Sequence, residues 1–118
     1  MTDTILLSIP TAPRLRSVVT LVLGGMGSRL ELPFEKVDDL QLAALSVLSA
    51  TADDTVTLEL SATDDSLSVD IGPLSNGSAS DQSLRRVLDQ LVDRVEASER
   101  DGRDWLTLRL DRPDRRSS

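Results

Sequence analysis

Residues 35–51 read EKVDDLQLAALSVLSAT, and this stretch decides the fold. After its first turns it carries no charge, and apolar residues occupy most of a helical circumference. A helix that is apolar on all sides is normally buried, so the pattern predicts a central helix packed within the domain. Its neutral polar residues Gln41, Ser46 and Ser49 need partners where they are buried, so they mark where the helix meets a ligand or the sheet.

The composition limits the chemistry that this chain can perform. Its 118 residues suffice for one domain. The sequence contains no Cys and no His, which excludes disulfides, thiolate chemistry, Ser-His-Asp triads and the usual zinc sites. An oxygen-ligand site for Mg²⁺ or Ca²⁺ stays open.

The charge and the apolar runs limit the partners and the location. A net charge of −7 and a pI near 4.4 argue against nucleic-acid binding, which needs a basic face. The run around Leu21–Leu23 is too short to span a bilayer, and Thr2–Ile9 is too short for a signal peptide. We therefore expect a cytoplasmic protein without membrane contact.

The first half of the chain predicts one strand and one amphipathic helix before the central helix. Thr4–Ile9 (TILLSI) is typical of a strand, and Arg14–Leu30 carries apolar residues at helical spacing. Leu21 and Leu23 lie off that apolar stripe, either as ordinary surface leucines or as part of a contact patch. Gly24–Gly27 follows no strand and has no Lys, so close packing or helix fraying is favoured over a phosphate loop.

The second half predicts a hairpin, a helix and a last strand. Thr55–Ser61 and Ser66–Ile71 alternate with period two on either side of a short polar turn, which indicates a β-hairpin. Leu84–Val95 has a helical apolar stripe, with Asp81 or Ser80 as its cap. Trp105–Leu110 alternates as a strand, and residues 111–118 lack apolar side chains and are expected to be a disordered tail.

The predicted order is therefore β-α-α-β-β-α-β in a single domain, residues 1–110. It predicts an α/β (α+β) two-layer sandwich with a mixed or antiparallel four-stranded sheet. The three helices are expected to cover one face of the sheet.

This order resembles the GHKL (histidine-kinase-like) ATPase fold, specifically the bacterial anti-sigma factor / serine-protein kinase branch. The best stretch is Arg14–Ala50, where two helices flank Ser28-Arg29-Leu30 at the family's spacing. Val69-Asp70-Ile71-Gly72 is similar to the family's adenine-reading D-x-G motif, and Leu84–Val95 is similar to its last helix. The resemblance implies a GHKL-like domain with an ATP site.

The chain departs from the family at the positions that perform the chemistry. The resemblance implies a Glu that acts as base and, four residues later, an Asn that holds Mg²⁺, but Ser46 and Ala50 stand there. Of the implied nucleotide site, Asp70 and Gly72 remain as candidates to contact the adenine.

The phosphate-binding part of the implied site is also altered. Asp81 and Ser83 stand where the family has glycines, and a carboxylate there repels phosphate. The segment between Gly72 and Asp81 is too short to form the family's lid. We therefore expect no cofactor, neither ATP nor Mg²⁺, and no catalytic residue.

The resemblance leads to our first hypothesis, a degenerate anti-sigma-factor-like regulatory domain that acts by protein–protein binding. Its expected partner is a sigma factor, a sigma-antagonist protein or a second copy of the chain. The family grips its partner with an Arg on the first helix, whose position is Thr20 here. Arg16, one turn earlier, and Leu21 complete the candidate partner-binding residues.

Two alternatives belong to other functional classes. An active ATP-dependent serine kinase would need another acid near Ser46, such as Asp53 or Asp54. A structural subunit would pair with itself through a sheet edge or through the first helix, which carries Leu21.

Overall fold

The structure is a computed structural model that describes residues 3–51, 53–74 and 77–112. Its strands and helices follow the chain in the order β1 (Asp3–Pro10), α1 (Arg16–Arg29), α2 (Phe34–Ala50), β2 (Thr55–Ala62), β3 (Ser66–Leu74), α3 (Gln82–Leu91), β4 (Arg94–Arg100) and β5 (Arg103–Asp111). Short 3₁₀ turns, Pro13–Leu15 and Ser78–Ser80, precede α1 and α3.

The strands form one five-stranded sheet in the order β1-β2-β3-β5-β4. Every neighbouring pair is antiparallel. The β2–β3 hairpin and the antiparallel α+β class are confirmed, whereas the expectation of four strands is wrong.

One hydrophobic core joins the sheet to the helices. Side chains of alternate strand residues, such as Leu60, Val69 and Leu108, belong to the same buried cluster as Leu40 on α2 and Leu88 on α3. Most of the strand residues between them are half-buried or exposed, and none of the helices among the described residues covers that other face of the sheet. The two-layer arrangement follows from this alternation, because period two places the Leu and Val residues on one face.

The strand that the sequence did not predict is β4. The helical stripe was expected to continue to Val95, but α3 ends at Leu91 and Val95 lies in β4 opposite Leu108. Val95 is buried in either conformation, so its apolar character does not distinguish them. The whole segment Arg94–Arg100 pairs with β5, and this pairing makes it a strand.

The central helix α2 is buried along one face, not all round. Its buried residues Leu40, Ala43 and Val47 recur at the spacing of one helical stripe, whereas Leu42 is exposed. The expected helix 35–51 is therefore present, but the expectation of burial on every side is wrong. The neighbouring helices reach only part of its circumference.

Helix α1 corrects the prediction about Leu23 and supports the prediction that its glycine-rich stretch is closely packed. Leu23, placed off the apolar stripe, is part of the core, while Leu21 is exposed. Gly27 contacts α2 so closely that an added Cβ would overlap the Val37 side chain. The interpretation of the glycine-rich stretch as close packing is thus supported at this position.

The fold continues two residues beyond the predicted boundary. Asp111 closes β5, and the Arg112 guanidinium donates to the carbonyl oxygens of Leu30 and Thr63, at 3.1 and 3.0 Å. The rest of the expected tail, residues 113–118, lies outside the described residues. None of the described helices is long and apolar enough to cross a membrane.

Candidate functional site

A cavity of about 320 Å³ lies between α1 and α2, in the helical layer of the domain. Helix α1 contributes Gly24 and Ser28, and α2 contributes Val37, Asp38 and Gln41. Its remaining lining residues, Glu31, Leu32 and Phe34, come from the α1–α2 connection and the start of α2.

A second cavity of about 270 Å³ lies beside the first. Its lining residues are Thr20, Asp38, Gln41, Leu42 and Leu45. Asp38 and Gln41 line both cavities, so the two cavities form one groove along the helix pair. We call it the α1–α2 groove.

Small residues on α1 create the groove. Thr20, Gly24 and Ser28 are spaced four apart, so they share one helix face, and none fills the space towards α2. The Gln41 side chain bridges the helices, because its Nε2 donates to the Thr20 carbonyl oxygen at 2.8 Å. A Cβ at position 24 would lie 3.1 Å from that Nε2, so glycine leaves room for the bridge.

Large apolar side chains lie exposed at the groove. Phe34 and Leu42, which line it, are 81% and 54% exposed, and Leu21, next to Thr20 in α1, is 76% exposed. Exposed apolar groups clustered at a concave site are typical of protein-binding surfaces. Asp38 on α2 and Glu31 in the α1–α2 connection both line the groove and give it acidic side chains.

One of the three predicted partner-binding residues, Thr20, lines the groove. Leu21 follows Thr20 in α1 and is exposed, but it is not among the lining residues. Arg16 lies one turn earlier and is half-buried, and its carbonyl oxygen accepts from Thr20 Oγ1 at 3.3 Å. Its Nε is buried and has no hydrogen-bond partner among the described residues.

The predicted nucleotide-binding residues lie in two different layers. Ser46 is half-buried on α2, where its Oγ donates to the Leu42 carbonyl oxygen at 2.8 Å. Ala50 is the last residue of α2 and is exposed. Asp70 lies on β3 between the buried Val69 and Ile71, so its side chain is on the face of the sheet that bears no helix.

The Asp70 carboxylate accepts two short hydrogen bonds. One oxygen accepts from Arg100 Nη2 and the other from Thr107 Oγ1, both at 2.6 Å. Arg100 also contacts Glu59, at 3.4 Å. Cross-strand contacts within the sheet therefore satisfy this carboxylate.

Gly72 is buried beneath an aromatic ring on the same face. An added Cβ would overlap the Trp105 ring, so only glycine fits there. The Arg100 guanidinium carbon lies 4.2 Å from the centre of that ring, within the range of a cation–π interaction. The glycine, the indole and the guanidinium thus form one packed stack.

Two of the three remaining candidate acids, Asp81 and Asp53, have side-chain contacts within the chain. Asp81 caps α3, because its Oδ1 accepts from the backbone N–H groups of Ser83 and Leu84, at 2.9 and 3.2 Å. Asp53 lies 3.3 Å from Arg103 Nη2 and accepts from the Thr51 hydroxyl at 2.8 Å. Asp54 is exposed, at the start of the turn into β2.

Within the described part of the chain, no group of three or more acidic, His or Cys side chains is arranged to hold a metal ion. No protein-family model matches the chain, and no curated protein matches its sequence.

Sequence reasoning missed two groove residues with the clearest exposed apolar surface, Phe34 and Leu42. A signal was present, because α2 has more apolar residues than one buried stripe needs. That excess predicts complete burial, whereas in the structure the apolar residues that the core does not use are exposed at the groove.

Proposed function

We propose that this chain is a degenerate anti-sigma-factor-like regulatory domain that acts by binding another protein. The observation that carries the proposal is the α1–α2 groove, which is lined by the exposed side chains of Phe34 and Leu42, together with the exposed Leu21 on α1. Burying such side chains against a partner removes apolar surface from water, which is the main favourable term in association.

The order of the elements supports the family part of the proposal. Two adjacent helices follow the first strand, and a hairpin and a third helix come next, as the resemblance to GHKL ATPases implies. The strand β4 is an addition to that order, between α3 and the predicted last strand, which is β5.

The lost chemistry supports the absence of catalysis. Neither Ser46 nor Ala50 has a carboxylate or amide side chain that could take a proton or hold Mg²⁺. Asp70 is engaged by Arg100 and Thr107, and the Asp81 carboxylate covers the N–H groups that begin α3.

The partner that we propose is a sigma factor or a sigma-antagonist protein. It would present an amphipathic helix whose apolar side packs against Leu21, Phe34 and Leu42. Basic residues beside that apolar side would face Asp38, because complementary charge favours association and sets orientation.

Calorimetric titration with ATP and Mg²⁺ tests the non-catalytic part. We expect no heat of binding, because the residues that would hold the phosphates and the metal are replaced. Micromolar affinity would overturn the proposal. Phosphate transfer to an antagonist protein that is abolished by Asp54→Asn would instead establish the kinase alternative.

Binding to the host's sigma factors and antagonist proteins, each purified and tested in turn, examines the partner. We expect Leu21→Asp and Leu42→Asp each to weaken the binding at least about tenfold, because a buried carboxylate would face an apolar surface. Val87→Asp is the matched control, since Val87 is also an exposed apolar helix residue but lies on α3. Equal loss in all three variants would exclude the groove as the contact surface.

A further inference from the structure

The two edges of the sheet differ in charge. The outer strand β4 reads RVEASER and carries four charged residues. The outer strand at the other edge, β1, has no charged residue from Thr4 to Pro10. Charges on an edge strand discourage pairing with another strand, so β4 is protected in this way and β1 is not.

The hydrogen-bond phase of β1 identifies which of its backbone groups face outward. The Thr11 N–H donates to the Asp54 carbonyl oxygen at 2.9 Å, in line with the β1–β2 register. Because hydrogen-bonded pairs alternate in an antiparallel ladder, Ile9, Leu7 and Ile5 bond to β2. The N–H and C=O groups of the intervening residues, Thr4, Leu6 and Ser8, therefore point away from the sheet.

The position of Pro10 is consistent with this alternation of outward-facing residues. Pro10 is the next outward-facing residue after Ser8, and it has no N–H to leave unpaired. Thr4, Leu6 and Ser8 are consequently the stretch of β1 that offers both donors and acceptors to another strand.

This stretch is chemically symmetric about Leu6. Read in either direction from Leu6, it has an aliphatic residue and then a hydroxyl residue, since Ile5 and Thr4 mirror Leu7 and Ser8. Leu6 is 67% exposed and Ile5 is 38% exposed, although both are large apolar residues. An antiparallel copy of the same strand would bring like next to like at every position.

We propose that β1 pairs with β1 of a second copy of this chain, in an antiparallel register with Leu6 opposite Leu6 of the partner subunit. Thr4 then faces Ser8 of the partner subunit, and the two sheets join into one of ten strands. Hydroxyl pairs and aliphatic pairs are favourable cross-strand neighbours. No charge is opposed by a like charge in this stretch, which matters for a chain of net charge −7.

The symmetry of the sequence about Leu6 indicates that the strand pairing with β1 comes from a second copy of this chain. A two-fold axis through Leu6 makes the contact self-complementary and closed, as in most homodimers. The contact uses the edge of the sheet and leaves the α1–α2 groove open to another protein. The two proposals can therefore fail independently.

Disulfide crosslinking tests the register directly, because the native chain has no cysteine. Two Leu6→Cys copies would place their Cα atoms about 5.5 Å apart, within the range that a disulfide spans. We expect Leu6→Cys to give a covalent dimer under mild oxidation. In the matched control Ser8→Cys, the two cysteines would be four residues out of register, about 13 Å apart, and should not crosslink.

Analytical ultracentrifugation of the full chain tests the dimer itself. We expect a dimer for the native sequence, and we expect Leu6→Lys to raise its dissociation constant at least about tenfold by opposing two charges. Leu21→Lys, on an equally exposed leucine of α1, should leave the dimer unchanged. A native chain that is monomeric up to about 1 mM, or a dimer that only Leu21→Lys dissociates, would overturn the proposal.

Discussion

The sheet face around Asp70 and the groove between α1 and α2 present opposite kinds of surface. Around Asp70 the polar groups are paired within the chain, through Arg100 and Thr107, and the Trp105 ring covers Gly72. At the groove, the large apolar side chains of Phe34 and Leu42 are mostly exposed to solvent.

This difference separates a stabilising region from a binding region. Groups whose hydrogen bonds and packing are complete lower the free energy of the fold and have little left for a ligand. Exposed apolar side chains contribute little to the fold and gain only when a partner covers them. Substitutions in the first region should therefore reduce stability, and substitutions in the second should reduce binding.

The largest expected effect is at Gly72. We expect Gly72→Val to lower the free energy of unfolding by about 2–3 kcal/mol, because the new side chain displaces the Trp105 ring from the sheet. Urea denaturation followed by tryptophan fluorescence measures this. Gly25→Ala is the matched control: its Cβ meets no atom within 4 Å, and in a helix it should be neutral or stabilising by up to about 1 kcal/mol.

The next effect is at Asp70. We expect Asp70→Asn to cost about 1–2 kcal/mol, because the charge-assisted bond to Arg100 is lost, while the 39% exposure of Arg100 moderates the loss. Chemical denaturation checks this against Asp89→Asn, an exposed acid on α3 that should change stability by less than about 0.5 kcal/mol. Equal stability of both variants would place Asp70 outside the stabilising network.

A smaller effect is expected at the N-terminus of α3. Asp81→Ala removes the acceptor for the Ser83 and Leu84 N–H groups and should cost about 1 kcal/mol. Asp81→Ser should retain most of that stability, because a hydroxyl also caps a helix. Thermal unfolding of both variants separates loss of the cap from loss of the charge. Similar destabilisation by both would mean that the negative charge, not the cap, matters.

The smallest effect on stability is expected at the groove. Leu42→Ser should change the free energy of unfolding by less than about 0.5 kcal/mol, because the side chain is already exposed. Leu40→Ala, two residues earlier on the buried face of α2, should cost about 2–5 kcal/mol. If Leu42→Ser destabilised the chain as much as Leu40→Ala does, the exposed groove would be part of the core and the comparison would fail.

Much of the fold could be predicted from periodicity. The hairpin of β2 and β3, the last strand and the existence of α1 and α2 all follow from apolar spacings that only one kind of element satisfies. The cap at Asp81 was also predictable, because an acid before a helical stripe accepts the first N–H groups.

The errors lie where one pattern fits two structures. Val95 continues the stripe of α3 and equally fits a strand, and only its partner Leu108 on β5 decides between them. Leu23 and Leu21 are the same residue two positions apart, yet one is buried against α2 and the sheet and the other is exposed. Their difference depends on the rotation of α1, which packing sets.

The sequence by itself determined the class of fold, the acidic charge and the absence of Cys and His, because these follow from side-chain identity and local spacing. Tertiary structure decided that α2 leaves Leu42 exposed, that Asp70 points away from the helices and that β1 presents an uncharged edge. Those outcomes depend on which surfaces neighbouring elements cover, and long-range packing sets that coverage, not the local sequence.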